Sequence, residues 1–277
     1  MATYLRPTQL ENALSALAGH KYTVIAGATD YYPAQVAQYT SNDILDLSAI
    51  ENLAGISLDQ GGNYWRIGAM TTWQDLLETE LPGCFDGLKA AARQVGGQQI
   101  QNCATIAGNL CNASPAADGV PPLLTLNARV VLQTQTRKRE LPLSEFILGN
   151  RRTALEAGEL LTDILIPKKL AQGRAGFLKL GARVYLVISV VMVAGLLILD
   201  EQGKVRCAHI VVGACSETAV SLPELEAELV GQHFSPNIVR SDHFNHLSAI
   251  DDHRGTAVYR LDAALTLTRR LLSELTA

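Results

Sequence analysis

An almost unbroken apolar stretch runs from Val184 to Leu199, interrupted only by Ser189. It falls short of the roughly 20 residues that a helix needs to span a bilayer. It is rich in β-branched residues and runs into a turn signal, Asp200-Glu201-Gln202-Gly203-Lys204, followed by a second apolar run from Val205 to Val212. Two such runs joined by a polar turn predict a buried hairpin, so the chain must supply other layers to cover it. Apolar residues make up 48% of the 277, enough for a sizeable core arranged as one large domain or two.

Charge and cysteine usage remove several function classes. A formal net charge of −4 argues against nucleic acid or an acidic membrane as the main partner. The densest basic run, Arg137-Lys138-Arg139, reads as a solvated hairpin tip. Residues Met1 to Pro7 show no charged segment leading into an apolar one, so no signal peptide is visible and a cytoplasmic location is expected. Cysteines at 84, 103, 111, 207 and 215 form no CxxC pair, which gives no zinc ribbon, iron–sulfur cluster or disulfide framework. His243 and His246 are three apart, but two ligands do not make a metal site; no metal ligand is assigned.

Coarse patterning reads as α+β. Thr8 with Glu11 predicts a capped helix through Ala18, and Tyr22 to Ala26 a short strand, with Pro33 in the first turn of a following helix. Ile44 to Leu47 and Trp65 to Gly68 are strands; Thr72–Glu80 and Leu88–Val95 are helices. A polar, glycine-rich loop is expected from Gly96 to Pro122, then strands at Arg129–Thr134 and Leu160–Pro167. A composition shift near 168–175 marks a boundary, and the last helix, Tyr259 to Leu275, carries Leu261, Leu265, Leu272 and Leu275 near one stripe.

Two segments depart from the alternation of apolar strand and solvated loop. They are Ala26-Gly27-Ala28-Thr29-Asp30, directly after a strand, and the run from Thr105 to Asp118. Small residues let backbone N–H groups approach a bulky anion, and successive N–H groups in a turn form an anion-binding concavity suited to a pyrophosphate. Each loop alone is ambiguous. Gly27 equally ends a strand and Gly108 equally sits in a tight turn; Asn109 and Asn112 equally close Asx turns, and Asp118 equally caps a helix starting near Pro121. Neither matches the Rossmann fingerprint or the P-loop, and no G-x-S-x-G elbow is present.

Taken in order, AGATD and then TIAGN followed by ASPAAD resemble the FAD-binding medium subunit of the xanthine dehydrogenase and carbon monoxide dehydrogenase family of molybdenum hydroxylases. Lys179-Leu180-Gly181-Ala182-Arg183 and Arg254-Gly255-Thr256-Ala257-Val258-Tyr259-Arg260 are similar to two further family signatures, so the resemblance covers nearly the whole chain. It implies an α+β fold: an FAD-binding domain over residues 1–170, of two α+β subdomains (about 1–60 and 61–170) like those of vanillyl-alcohol oxidase, and a C-terminal α+β domain over 171–277 of the carbon monoxide dehydrogenase flavoprotein type.

The same resemblance implies the cofactor, FAD, and its contacts. Val24, Ile25, Ala26, Gly27, Ala28, Thr29 and Asp30 would wrap the pyrophosphate from one side, and Thr105, Ile106, Ala107, Gly108 and Asn109 from the other. Cys111 and Asp118 would lie further along it, Leu161 near the adenine or flavin, Lys179 at its edge and Ile188 against a flavin face. No catalytic residue is assigned. Molybdopterin and [2Fe–2S] clusters would belong to a large and a small partner subunit, in a heterotrimer or a dimer of heterotrimers. Electrons would pass through FAD to NAD, a quinone or oxygen. Ala28 and Ala107 replace the usual glycines, Val184 a common arginine and Val187 a common aspartate. Where φ is positive, alanine is strained. Two rivals remain open: a stand-alone FAD oxidoreductase, and a non-catalytic assembly subunit whose flavin site has decayed.

Overall fold

The computed structural model describes residues 2–35 and 42–277. Met1 and residues 36–41 lie outside the described residues. The first unit runs β1 (Tyr4–Leu5), α1 (Leu10–Gly19), β2 (Thr23–Ile25), α2 (Tyr31–Ala34) and β3 (Ile44–Asp46). Its strands form a parallel sheet in the order β1-β3-β2. α1 covers that sheet with Ala13 and Leu14, packed with Leu45, Leu47, Ile50 and Leu53. The helix starts later than the sequence pattern suggests. Its N-cap is Gln9, without a side-chain cap bond, so Thr8 and Glu11 do not form the expected box.

The second unit adds β4 (Ile56–Leu58), β5 (Tyr64–Gly68), α3 (Trp73–Glu78), α4 (Asp86–Ala92), α5 (Gln98–Gln101), α6 (Ile106–Asn112), α7 (Val120–Thr125), β6 (Arg129–Gln133), β7 (Lys138–Pro142), α8 (Leu143–Phe146), β8 (Ile147–Gly149), β9 (Arg152–Thr153) and β10 (Leu160–Pro167). The order β4-β5-β10-β6-β7 gives an antiparallel sheet whose Ile67, Val130, Leu132 and Ile164 meet Trp73, Phe85, Leu88, Ile106, Leu110 and Leu123 from the helices. The expected loop from Gly96 to Pro122 is therefore three short helices. Gly and Asn read as loop signals, yet here they lie inside turns that apolar Ile106, Leu110 and Val120 pin to the core. Arg137 and Arg139 are not a free solvated tip either: both guanidinium groups grip Glu159, at 2.8 and 2.7 Å.

The third unit holds β11 (Arg174–Leu180), β12 (Val191–Leu199), β13 (Val205–Gly213), β14 (Val220–Ser221), α9 (Pro223–Leu229) and α10 (Ala257–Thr276), with the strands antiparallel in sequence order. The period of two along β12 explains its continuous apolar run. Val191, Val193 and Leu197 face the cluster built by α9 and α10, while Met192, Ala194, Leu196 and Ile198 face the second unit. The expected strand from Val184 starts late because β11 ends at Leu180, whose partner is Val191, leaving residues 181–189 without a strand to pair with. Val184 is 99% exposed, with Tyr185, Leu186 and Ile188 also exposed. The Arg183 guanidinium clamps the Leu186 carbonyl in that loop. On α10 the buried leucines are Leu271, Leu272 and Leu275, whereas Leu261 and Leu265 are only partly covered.

Candidate cofactor site

The first small-residue segment meets, backbone to backbone, the residues just ahead of the second. A Cβ on Gly27 would fall 1.8 Å from the Cys103 carbonyl oxygen and 3.0 Å from the Ala104 Cα, so only glycine admits this approach. On the first side, β2 ends at the buried Ile25, whose carbonyl accepts the Leu47 N–H at 3.0 Å, and the chain turns at once through Ala26 to Asp30. On the second, Thr105 caps α6 by accepting the Gly108 N–H on Oγ1 at 3.0 Å. The Ile106 N–H donates to Thr71 O and the Trp73 N–H to Ala104 O, both at 3.1 Å, which ties the loop to the start of α3.

Between the first and second units lies a cavity of about 690 Å³, inside the ~300–1,000 Å³ range of small-molecule and cofactor sites. Every residue from 24 to 30 lines it, together with Thr105, Ala107, Gly108, Asn109, Cys111 and Leu161. Leu160 and Leu161, neighbours on β10, both face it, next to a bulge that breaks the pairing with β6 between Leu161 and Asp163. The buried Asn109 Oδ1 finds no hydrogen-bond partner among the described residues. Such an atom costs about 1–3 kcal/mol unless a ligand donor reaches it. Burial pushes the Cys111 thiol up to about 12, so it presents a neutral, weakly polar surface at pH 7.

Four of the residues expected at the cofactor do not line this cavity. Ile106 is fully buried in the helix–sheet core, anchoring the loop rather than facing the cavity. Asp118 caps no helix; its carboxylate takes the Lys179 ammonium and the Ser189 hydroxyl, each at 2.5 Å. Burial pushes the Asp118 carboxyl up, against the pull of that ammonium. Lys179 is thus satisfied by Asp118, and Ile188 stands in the exposed 184–188 loop, 53% exposed.

Comparison with known proteins sorts this architecture. A family model described as the FAD binding domain in molybdopterin dehydrogenase matches residues 1–169, and one described as the CO dehydrogenase flavoprotein C-terminal domain matches residues 150–275. The chain belongs to this flavoprotein family. Among relatives, the nicotinate dehydrogenase FAD-subunit of Eubacterium barkeri is 32% identical over 238 residues, 82% of this chain and 79% of its own. The xanthine dehydrogenase FAD-binding subunit of Escherichia coli O157:H7 is 28% identical across 100% of this chain and 96% of its own. In structure the flavoprotein is similar to a chain of carbon monoxide dehydrogenase from Hydrogenophaga pseudoflava, with TM-score 0.89 and 24% identity over 99% and 96% of the two chains. A chain of quinoline 2-oxidoreductase from Pseudomonas putida 86 gives 0.87 at 25% identity over 100% and 97%.

The family's cofactor is FAD, and the residues present fit it: a cavity of suitable size, lined by both small-residue segments, with a buried amide oxygen on Asn109 that has no partner among the described residues. The two alanines play different parts. Ala28 adopts φ +53°, the left-handed region that glycine occupies freely, whereas Ala107 sits inside α6 with its methyl buried. Ala28→Gly is expected to raise the flavoprotein's stability by about 0.5–1 kcal/mol, relief of strain exceeding glycine's entropic cost. Ala107→Gly is expected to lower it by about 1 kcal/mol through lost helix propensity. Urea midpoints at unchanged slope measure both.

Other cavity residues lie outside the two small-residue segments. Trp73 is fully buried and lines the cavity from α3; Tyr31 lines it beside the more exposed Tyr32, the rings 5.3 Å apart and edge-on. Arg151 and Glu159 bring charge to the lining. The Arg139 guanidinium, with Arg137 and the Glu156 N–H, holds the Glu159 carboxyl down to about 2. Because the folded value lies below that of an unfolded glutamate, near ~4.3, the stabilisation is complete above that pH and is lost as pH falls towards 2. Glu159→Gln is expected to remove about 2–3 kcal/mol at pH 7 and to flatten the acid limb of the stability curve below pH ~4.

Proposed function

We propose that the flavoprotein is the electron relay of a molybdenum hydroxylase complex. It takes electrons from [2Fe–2S] clusters on a small partner subunit and passes them to NAD, a quinone or oxygen, while a large molybdopterin subunit carries the substrate chemistry. The observation that carries this reading is the cavity framed by residues 24–30 and 105–109, where Gly27 and Cys103 touch. FAD, when bound there, supplies the redox chemistry; the protein supplies position and electrostatics.

The backbone of residues 26–30 and 105–109 would cradle the pyrophosphate, and Asn109 Oδ1 would accept a hydrogen bond from the ligand. Leu160 and Leu161 would present an apolar wall, and Trp73 would stiffen the floor beneath α6. Asp118, Lys179 and Ile188 would serve the flavin end, the Asp118–Lys179 pair presenting a carboxylate for ribose or ribitol hydroxyls. We place the division between the FAD-binding and C-terminal domains at about residue 170, and the complex, a heterotrimer or its dimer, in the cytoplasm. The subunit reading is supported by relatives named as subunits, including the nicotine 6-hydroxylase medium subunit of Paenarthrobacter nicotinovorans. It is also supported by the contiguous exposed apolar loop at 184–188, of a kind monomers seldom leave uncovered. Among the described residues no helix is long and apolar enough to cross a membrane.

Purification of the tagged chain from its own cells tests the proposal. Co-purification of two further subunits carrying molybdenum and iron is expected. Turnover of a small substrate by the isolated chain, with no partner present, would contradict it.

A further inference from the structure

A pyrophosphate brings two negative charges into a cavity whose lining includes two carboxylates, Asp30 and Glu159, and one guanidinium, that of Arg151. Glu159 is already neutralised from behind by Arg137 and Arg139. Asp30 ends the first loop with its carboxylate largely exposed, and nearby it would repel a phosphate. Arg151 stands 3.8 Å from Asp30, in an ion pair whose side chains are 66% and 59% exposed. Exposed pairs of that kind are weak, so the guanidinium is readily given up to a better acceptor.

Arg151 sits in the tight turn between β8 and β9. It adopts φ +55°, a conformation that side-chain-bearing residues seldom keep without reason. Its N–H donates at 2.9 Å to the carbonyl of Ala113, the C-cap of α6. One residue therefore joins the far end of the second loop's helix, through its backbone, to the end of the first loop, through its side chain. A guanidinium offers the planar two-pronged donor that matches phosphate oxygens.

We infer that Arg151 is the counter-ion of the cofactor's pyrophosphate, resting on Asp30 in the empty protein and transferring to phosphate when FAD enters. This rests on the reading of residues 26–30 and 105–109 as the pyrophosphate loops. The test is titration of the flavin-free full chain with FAD, followed by flavin fluorescence, for wild type, Arg151→Asn and Arg151→Lys. Asparagine tolerates positive φ, so the backbone is preserved, and melting of the flavin-free protein verifies this.

Arg151→Asn is expected to weaken FAD binding about 10- to 100-fold, and to reduce the dependence of affinity on salt. Arg151→Lys is expected to recover part of the loss, since the charge returns without the fork. Riboflavin, which lacks phosphate, is expected to bind wild type and Arg151→Asn alike. An FAD affinity within about twofold of wild type would overturn the assignment, as would equal weakening of FAD and riboflavin. Gly27→Ala in the same series separates the two levels. If it weakens FAD and Arg151→Asn does not, Arg151 alone is misassigned; if neither does, the loop reading fails as well.

Discussion

Gly27→Ala is expected to weaken FAD binding by at least about a hundredfold, through overpacking that costs a few kcal/mol, while the C-terminal sheet and its helices stay folded. The added methyl would sit 1.8 Å from the Cys103 carbonyl oxygen, far inside contact distance, and both sides of the clash are backbone. No side chain can swing away, so the two loops must part. Separating them also disturbs the backbone bonds that tie Ala104 to Trp73 and Ile106 to Thr71. Overpacking of this kind costs about 1–3 kcal/mol, occasionally more, and the cofactor site takes the displacement because it is the face open to solvent. The flavin absorption of the purified variant and its FAD titration measure the loss. Gly108→Ala is the control: its methyl would meet only the Thr105 hydroxyl, at 2.8 Å. It is expected to perturb one cap bond and to retain binding at reduced affinity.

Lys179→Met is expected to destabilise the flavoprotein by about 3–5 kcal/mol, because it leaves the Asp118 carboxylate buried and unpaired. The side chains of Asp118 and Lys179 are 7% and 6% exposed, and only the Ser189 hydroxyl would remain on the carboxylate. At roughly 2–4 °C per kcal/mol for a chain of this size, the melting temperature falls by about 10 °C. Removing both charges together, as Asp118→Asn with Lys179→Met, is expected to return most of the stability, within about 1–2 kcal/mol of the starting protein. The non-additivity distinguishes a buried ion pair from two independent packing positions. Equal and additive losses from the two single substitutions would contradict the pairing.

Several of the longer strands and the first small-residue loop were legible in the sequence because they rest on local pattern. β10 follows the apolar run from Leu160 to Pro167, and the AGATD segment breaks from β2 where small residues replace β-branched ones. The hairpin of β12 and β13 was legible too, but not its start. Hydropathy along Val184–Leu199 is continuous, and only the end of the partner strand at Leu180 decides that pairing begins at Val191. Ile188 falls on the unpaired side of that line, which is why it is exposed rather than set against a cavity wall. Asp118 reads equally as a cap or a ligand contact; its choice of Lys179 and Ser189, 61 and 71 residues away, is a tertiary fact without local trace. Arg151 was hidden for the same reason, one arginine beside another until the fold brings it to Asp30. The strain at Ala28 was readable only as a condition on φ, which the structure meets at +53°.

Quantitative FAD binding to the purified wild-type chain tests the central claim most directly. One FAD per chain, held in the cleft between the first two units, is the predicted result. It gives a visible flavin spectrum, is released when the protein is unfolded, and is lost on Gly27→Ala. A colourless protein from flavin-replete cells that takes up no FAD on titration would contradict it.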